Sequence, residues 1–136
     1  MAEKSFSLEI VTPRKVVFKG EVASFSAPGI LGGFQVLYNH APLLSALQVG
    51  EIKFTSIDGK EVRYATSGGF VEVKDNHVVT LAETAERADE IDVERAKAAQ
   101  ERAQKRLMEK SKDIEIDRAH IALARAINRL RIVERM

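Results

Sequence analysis

The sequence has no cysteine and no tryptophan, and only three prolines in 136 residues. Without cysteine, a disulfide framework, a Cys-type zinc site and thiol chemistry are all excluded. A dominant charge sign is also missing, because 21 Lys and Arg stand against 20 Asp and Glu. A general nucleic-acid binder is markedly basic, so no nucleic-acid partner is expected. No apolar run approaches the roughly 20 residues that cross a bilayer as a helix. An alternating pattern starts at Phe6-Ser7-Leu8-Glu9-Ile10, which leaves no room for a secretory signal or transit peptide. The expectation is a soluble protein of a reducing compartment.

The same scarcities divide the chain. All eight glycines, all three prolines and all eight aromatic residues lie at or before position 70. From Glu86 to Met136 there are none, and 24 of those 51 residues are charged. A composition change this sharp predicts two architectures, joined near Ala82–Glu90. Residues 1–85 are assigned to one domain and residues 86–136 to a second.

The first domain reads as short strands. Alternation recurs in Glu51-Ile52-Lys53-Phe54 and Phe70-Val71-Glu72-Val73. Asp58-Gly59 and Asp75-Asn76 are two-residue hairpin signals, since Asp, Asn and Gly tolerate the positive φ of primed turns. Pro13, Gly20, Pro28, Gly50 and Gly68-Gly69 read as further breaks between strands. Repeated short strands predict an all-β sandwich or flattened barrel.

The second domain reads as two helices. Ala, Glu, Arg, Lys and Gln dominate from Asp92 to about Lys110, and Asp92 suits the N-cap. The weak point Lys110-Ser111-Lys112-Asp113 predicts a short connection and an antiparallel hairpin. The first seam is Val93, Ala96, Gln100, Ala103 and Leu107; the second is Ile116, Ala119, Leu123, Ala126, Leu130 and Val133. Seams this rich in alanine bury little apolar area, so the hairpin is expected to be marginally stable. The overall class is α+β, an N-terminal β-sandwich followed by a C-terminal antiparallel two-helix hairpin.

Arginines follow the seams. Arg95, Arg102 and Arg106 stand at i, i+7 and i+11, and Arg118, Arg125 and Arg129 repeat that spacing. At 100° per residue each set forms one stripe, turned to the same rotational side of its seam. Two antiparallel helices packed seam to seam are related by a perpendicular twofold axis, which carries both stripes to one side. Such a face is either a solvated surface or, because guanidinium groups offer bidentate donors, a cradle for polyphosphate or carboxylate.

The chain resembles the epsilon subunit of bacterial F-type ATP synthases over essentially its whole length. The stretches that carry the resemblance are Val11-Thr12-Pro13, His40-Ala41-Pro42-Leu43, Ser67-Gly68-Gly69-Phe70-Val71-Glu72-Val73, Ala85-Glu86-Arg87-Ala88, Ile91-Asp92-x-x-Arg95-Ala96 and Ala126-Ile127-Asn128-Arg129-Leu130. In the family loop that here reads Gly32-Gly33-Phe34-Gln35-Val36-Leu37-Tyr38-Asn39-His40, a Pro-Gly pair has become Tyr38-Asn39, and the acidic residue has become Gly33. Asn39 tolerates the left-handed region, so the turn is expected to survive.

The resemblance implies a non-catalytic subunit of the rotor's central stalk, peripheral on the cytoplasmic face of the bacterial plasma membrane. It implies a β domain that binds the gamma subunit and the c-ring. The hairpin would fold down, or extend to the alpha and beta subunits and block ATP hydrolysis. Bacillus-like members also bind ATP as a regulatory ligand that is not hydrolysed, through a motif standing here as Ile91-Asp92-Val93-Glu94-Arg95-Ala96. Carried over residue by residue, the implied ATP contacts are Glu86, Ile91, Asp92, Arg95, Ala96, Arg102, Arg125 and Arg129. The alternative is a structural stalk adaptor with a fixed hairpin and no nucleotide. The residues themselves offer no P-loop, and His40, His77 and His120 have no metal-ligand spacing, so neither catalysis nor a required metal is expected.

Overall fold

The computed structural model describes residues 4–109 and 113–135. Residues 110–112, most of the expected connection, lie outside the described residues. The chain forms two compact units, Met1–Arg87 and Ala88–Met136. The contact boundary thus follows Arg87, whereas the composition placed it after residue 85.

The first unit is a β-sandwich of nine strands: β1 Phe6–Val11, β2 Val16–Gly29, β3 Gly32–Val36, β4 Leu43–Leu47, β5 Gly50–Ser56, β6 Glu61–Thr66, β7 Gly69–Lys74, β8 His77–Ala82 and β9 Ala85–Arg87. Alternation does what period-2 geometry requires. Phe6, Leu8 and Ile10 point inward, as do Ile52 and Phe54 of β5, Val71 and Val73 of β7, and Val78 of β8. These residues meet in one core with Val22, Phe25, Val36, Leu47 and Tyr64.

Strand β2 holds this unit together. Its first half pairs antiparallel with β1, and its second half lies between β3 and β5. A bulge between Val22 and Ser24 marks the change of partner, with Val22 paired to both Phe6 and Ser56. The path β1-β8-β7-β4 returns to β2 at the Gly29–Leu47 pair, while β5, β6 and β9 extend the other arm. Strands β1 and β8 pair in parallel.

Two expectations are corrected. Gly20 and Pro28 are not breaks; both lie inside the 14-residue β2. Pro28 lies past the last β2–β5 pair, Ser26–Lys53, and its carbonyl, the one main-chain hydrogen-bonding group a proline has, accepts from Gln48 N–H. Asp58-Gly59 is not a two-residue turn. The register closes at Thr55–Glu61, Ser56 N–H donates to Lys60 O, and Gly59 N–H donates to Ser56 O, which leaves Ile57, Asp58 and Gly59 in the loop. The Ser56 hydroxyl stabilises that longer loop by accepting from the Lys60 N–H and donating to the Asp58 carboxylate.

The other turn signals have the expected geometry. Asp75 and Asn76, at φ 49° and 60°, close β7 onto β8 with Lys74 opposite His77. Asn39 adopts φ 62°, the left-handed conformation expected of it. Asn39 N–H donates to Asn76 Oδ1 at 2.7 Å, and Asn76 Nδ2 donates to Asn39 Oδ1 at 2.9 Å. The two left-handed asparagines therefore tie the β3–β4 loop to the β7–β8 turn.

The second unit begins with a 3-10 turn, Ala88–Glu90, followed by α1 Val93–Met108 and α2 Asp113–Glu134. The helices pack along each other, and with only residues 109–112 between them α2 must run back antiparallel to α1. No helix among the described residues is long and apolar enough to cross a membrane.

Two measurements check this account of the sandwich. A Cβ built on Gly69, at φ 142°, would lie 2.0 Å from Leu81 O, so Gly69→Ala is expected to destabilise the β unit by at least about 2 kcal/mol in denaturant unfolding. Gly59→Ala, at φ 87° with nothing within 4 Å of the new methyl, is expected to cost about 1 kcal/mol. The Ser56 hydroxyl, followed by the Lys60 backbone, holds the Asp58 carboxyl below its ordinary pKa. A depressed folded value adds stability above the unfolded pKa and loses it as pH falls through the folded one. An NMR titration is expected to place Asp58 low, and Ser56→Ala is expected to move it back up.

Candidate functional site

The helical unit contains seven of the eight implied ligand residues, and its geometry starts from the alanine seam. Ala96 and Ala103 of α1 and Ala119 and Ala126 of α2 are all buried, at 3% exposure or less. Each pair is separated by seven residues, so in an antiparallel hairpin Ala103 is level with Ala119, and Ala96 with Ala126. The other expected seam residues, Val93, Gln100 and Leu107 on α1 and Ile116, Leu123, Leu130 and Val133 on α2, are half-buried beside them.

An arginine directly precedes each of these four alanines: Arg95, Arg102, Arg118 and Arg125. All four are exposed. One residue is a 100° rotation, so each guanidinium stands off the seam in the same rotational sense. The twofold relation of an antiparallel pair brings them to one side of the hairpin. Arg106 is also exposed, and Arg129 is half-buried. The result is a basic face built from both helices.

The motif residues occupy the start of α1. Asp92, with extended backbone, is the N-cap, and its carboxylate accepts from Arg95 N–H at 3.0 Å. Asp92 O also accepts from Ala96 N–H at 3.0 Å, opening the helical ladder. Ile91 is 8% exposed and Ala96 is 3% exposed, so their side chains serve packing. Glu86 lies elsewhere, in β9 of the first unit, opposite Ala65 of β6 and half-buried.

The histidines are dispersed. The His40 ring bonds Ala41 O through Nδ1, His77 bonds Ser7 Oγ, and His120 is exposed on α2. Among the described residues no group of three or more His, Asp or Glu side chains is placed to hold a metal ion.

Sequence reasoning missed Ile132. It is fully buried, whereas the expected seam residue Val133 is only half-buried. The 3-10 turn packs on α2, and α2 is six residues longer than α1, 22 against 16, so a seam counted against α1 alone does not extend to the end of α2. The signal available was the apolar pair Ile132-Val133 continuing beyond the span that α1 can cover.

Comparison with known proteins agrees with this architecture. A family model described as the ATP synthase delta/epsilon chain beta-sandwich domain matches residues 5–88, and one described as its long alpha-helix domain matches residues 89–134. The ATP synthase epsilon chain of Syntrophomonas wolfei is 50% identical over 135 residues, which is 99% of this chain and 98% of that protein. The epsilon chain of Desulforamulus reducens is 52% identical over 131 residues, covering 96% and 98% respectively. Among solved structures, a chain of the Euglena gracilis mitochondrial ATP synthase OSCP/F1/c-ring assembly superposes with a TM-score of 0.79 at 25% identity, covering 88% of this chain and 76% of that one. A chain of the Tetrahymena thermophila mitochondrial ATP synthase central stalk/c-ring shares the fold, with a TM-score of 0.62 at 15% identity over 93% and 95%.

Sandwich and hairpin together define a class of non-catalytic ATP synthase subunits. This chain belongs to the ATP synthase epsilon chain family.

The N-cap carries a measurable consequence. Asp92→Ala is expected to cost the hairpin about 1 kcal/mol, read as faster amide exchange in the first turn of α1 with exchange in the β strands unchanged.

Proposed function

We propose that the chain works in the central stalk of the synthase, where its β unit joins the gamma subunit to the c-ring at the cytoplasmic face of the bacterial membrane. Its hairpin restrains ATP hydrolysis when it extends to the alpha and beta subunits. ATP, bound but not hydrolysed, stabilises the folded hairpin. The observation that carries this reading is the row of exposed arginines, one before each buried alanine, on one side of the two packed helices.

A triphosphate suits that face because each guanidinium donates bidentate, charge-assisted hydrogen bonds. Arg95, Arg102, Arg125 and Arg129 form the phosphate cradle. Asp92 and the backbone near buried Ile91 and Ala96 border the base. The four alanines bury little area, so the closed hairpin is held by only a few kcal/mol. Ligand at 100 times its Kd adds about 2.7 kcal/mol, which is enough to shift such a balance. Without ATP, the same arginines meet acidic surface on the catalytic subunits.

Calorimetry tests the nucleotide site directly. ATP is expected to bind the full chain, and Arg95→Ala combined with Arg125→Ala is expected to weaken it by about a hundredfold. No heat from the parent chain, or equal heat from both, rejects the site. In the assembled enzyme, removing residues 91–136 is expected to raise ATP hydrolysis; unchanged hydrolysis favours a fixed structural adaptor.

A further inference from the structure

Below the arginine face, the apolar contacts of the helical unit are unevenly distributed. Its buried residues among those described are Ala88, Ile91, Ala96, Ala103, Ala119, Ala126 and Ile132. Only Ile91 and Ile132 are larger than alanine. Both belong to the open end of the hairpin, away from the connection. Helix α2 is longer than α1, at 22 residues against 16. The connection fixes the other end, so the surplus of about 9 Å runs past the start of α1. The 3-10 turn packs on α2, and because it directly precedes α1 the antiparallel arrangement puts that contact toward the end of α2.

We infer that this open end is a latch. The turn Ala88–Glu90 with Ile91, seated against the last turns of α2 around Ile132, decides whether the two helices stay together. Along the middle of the hairpin the fully buried contacts are alanine methyl groups, with half-buried Leu123 beside them, and they resist separation less. At the open end, a branched side chain with 0% exposure resists it more. The latch adjoins Asp92, so a ligand at the head of α1 closes the same contact. Its regulatory use rests on the proposal above; its physical existence does not require nucleotide.

The chain has no cysteine, so spin labels are placed cleanly through Lys97→Cys and Ala124→Cys, two exposed positions level across the hairpin. Pulsed electron resonance without nucleotide is expected to give one short distance for the labelled parent, set by helix axes about 8–10 Å apart. Opening into a continuous rod would separate the positions by about 40 Å. Ile132→Ala is expected to raise the open-to-closed ratio by about thirtyfold, and Ile132→Val by a few-fold. Leu107→Ala, which trims a half-buried leucine at the other end, is expected to leave the distance unchanged.

The latch is overturned if Ile132→Ala keeps the parental distance, or if Leu107→Ala opens the hairpin as much. It is also overturned if Ile132→Val loses helical circular dichroism, since the unit would then be melting rather than unlatching. ATP added to Ile132→Ala separates the two proposals. Return of the short distance supports both, whereas persistent opening leaves the latch standing and counts against closure by nucleotide.

Discussion

Four alanine methyl groups are the fully buried contacts along the long part of the helical unit, with half-buried aliphatic side chains beside them. Alanine at the contact lets two helix backbones approach closely, and it removes little apolar surface from water while doing so. The remaining features of the unit follow from that choice. The seven-residue spacing of Ala96 to Ala103 and of Ala119 to Ala126 sets which residues are level. Because an arginine precedes each alanine, the contact that aligns the helices also collects positive charge on one flank. Adhesion and the basic flank are therefore parts of one sequence pattern.

The β unit is built on the opposite principle. Its core contains Phe6, Phe25, Phe54 and Tyr64, with the Phe18 ring tilted 36° against Phe54 at a centroid separation of 4.3 Å. Its strands join residues far apart in sequence, including the parallel β1–β8 pair and the return of β4 to Gly29. Aromatic bulk and closure through β2 give this unit a cohesion that alanine does not supply. One chain thus joins a platform packed on aromatic side chains to a hairpin whose fully buried contacts are mostly alanine.

Much of this was legible in the residues because the relevant signals are local. Phe6, Leu8 and Ile10 alternate at the strand period, Asp75-Asn76 has the chemistry of a tight primed turn, and Asp92 has that of a helix cap. What escaped depends on neighbours distant in sequence. Gly20 and Pro28 look like punctuation until β2 is seen changing partners between them. The Asp58-Gly59 signal was real, but the Ser56 hydroxyl recruited another residue into its loop. Ile132 was hidden because a strict three-four count assumes one facing helix throughout, and α2 outlasts α1. On the hairpin, the stripes of arginine and the buried seam alanines were readable in advance, whereas the burial of Ile91 required the packed structure.

The paired asparagines at 39 and 76 carry an evolutionary consequence. Each carbonyl oxygen in that bridge is satisfied by its partner's nitrogen, so neither amide side chain is an independent trait. A glycine at 39 would keep the main-chain N–H that Asn76 Oδ1 accepts from but lose the oxygen that Asn76 Nδ2 donates to, so half of the bridge depends on both side chains. The two sites should therefore drift as a couple, inherited or lost together, although 37 positions of chain lie between them.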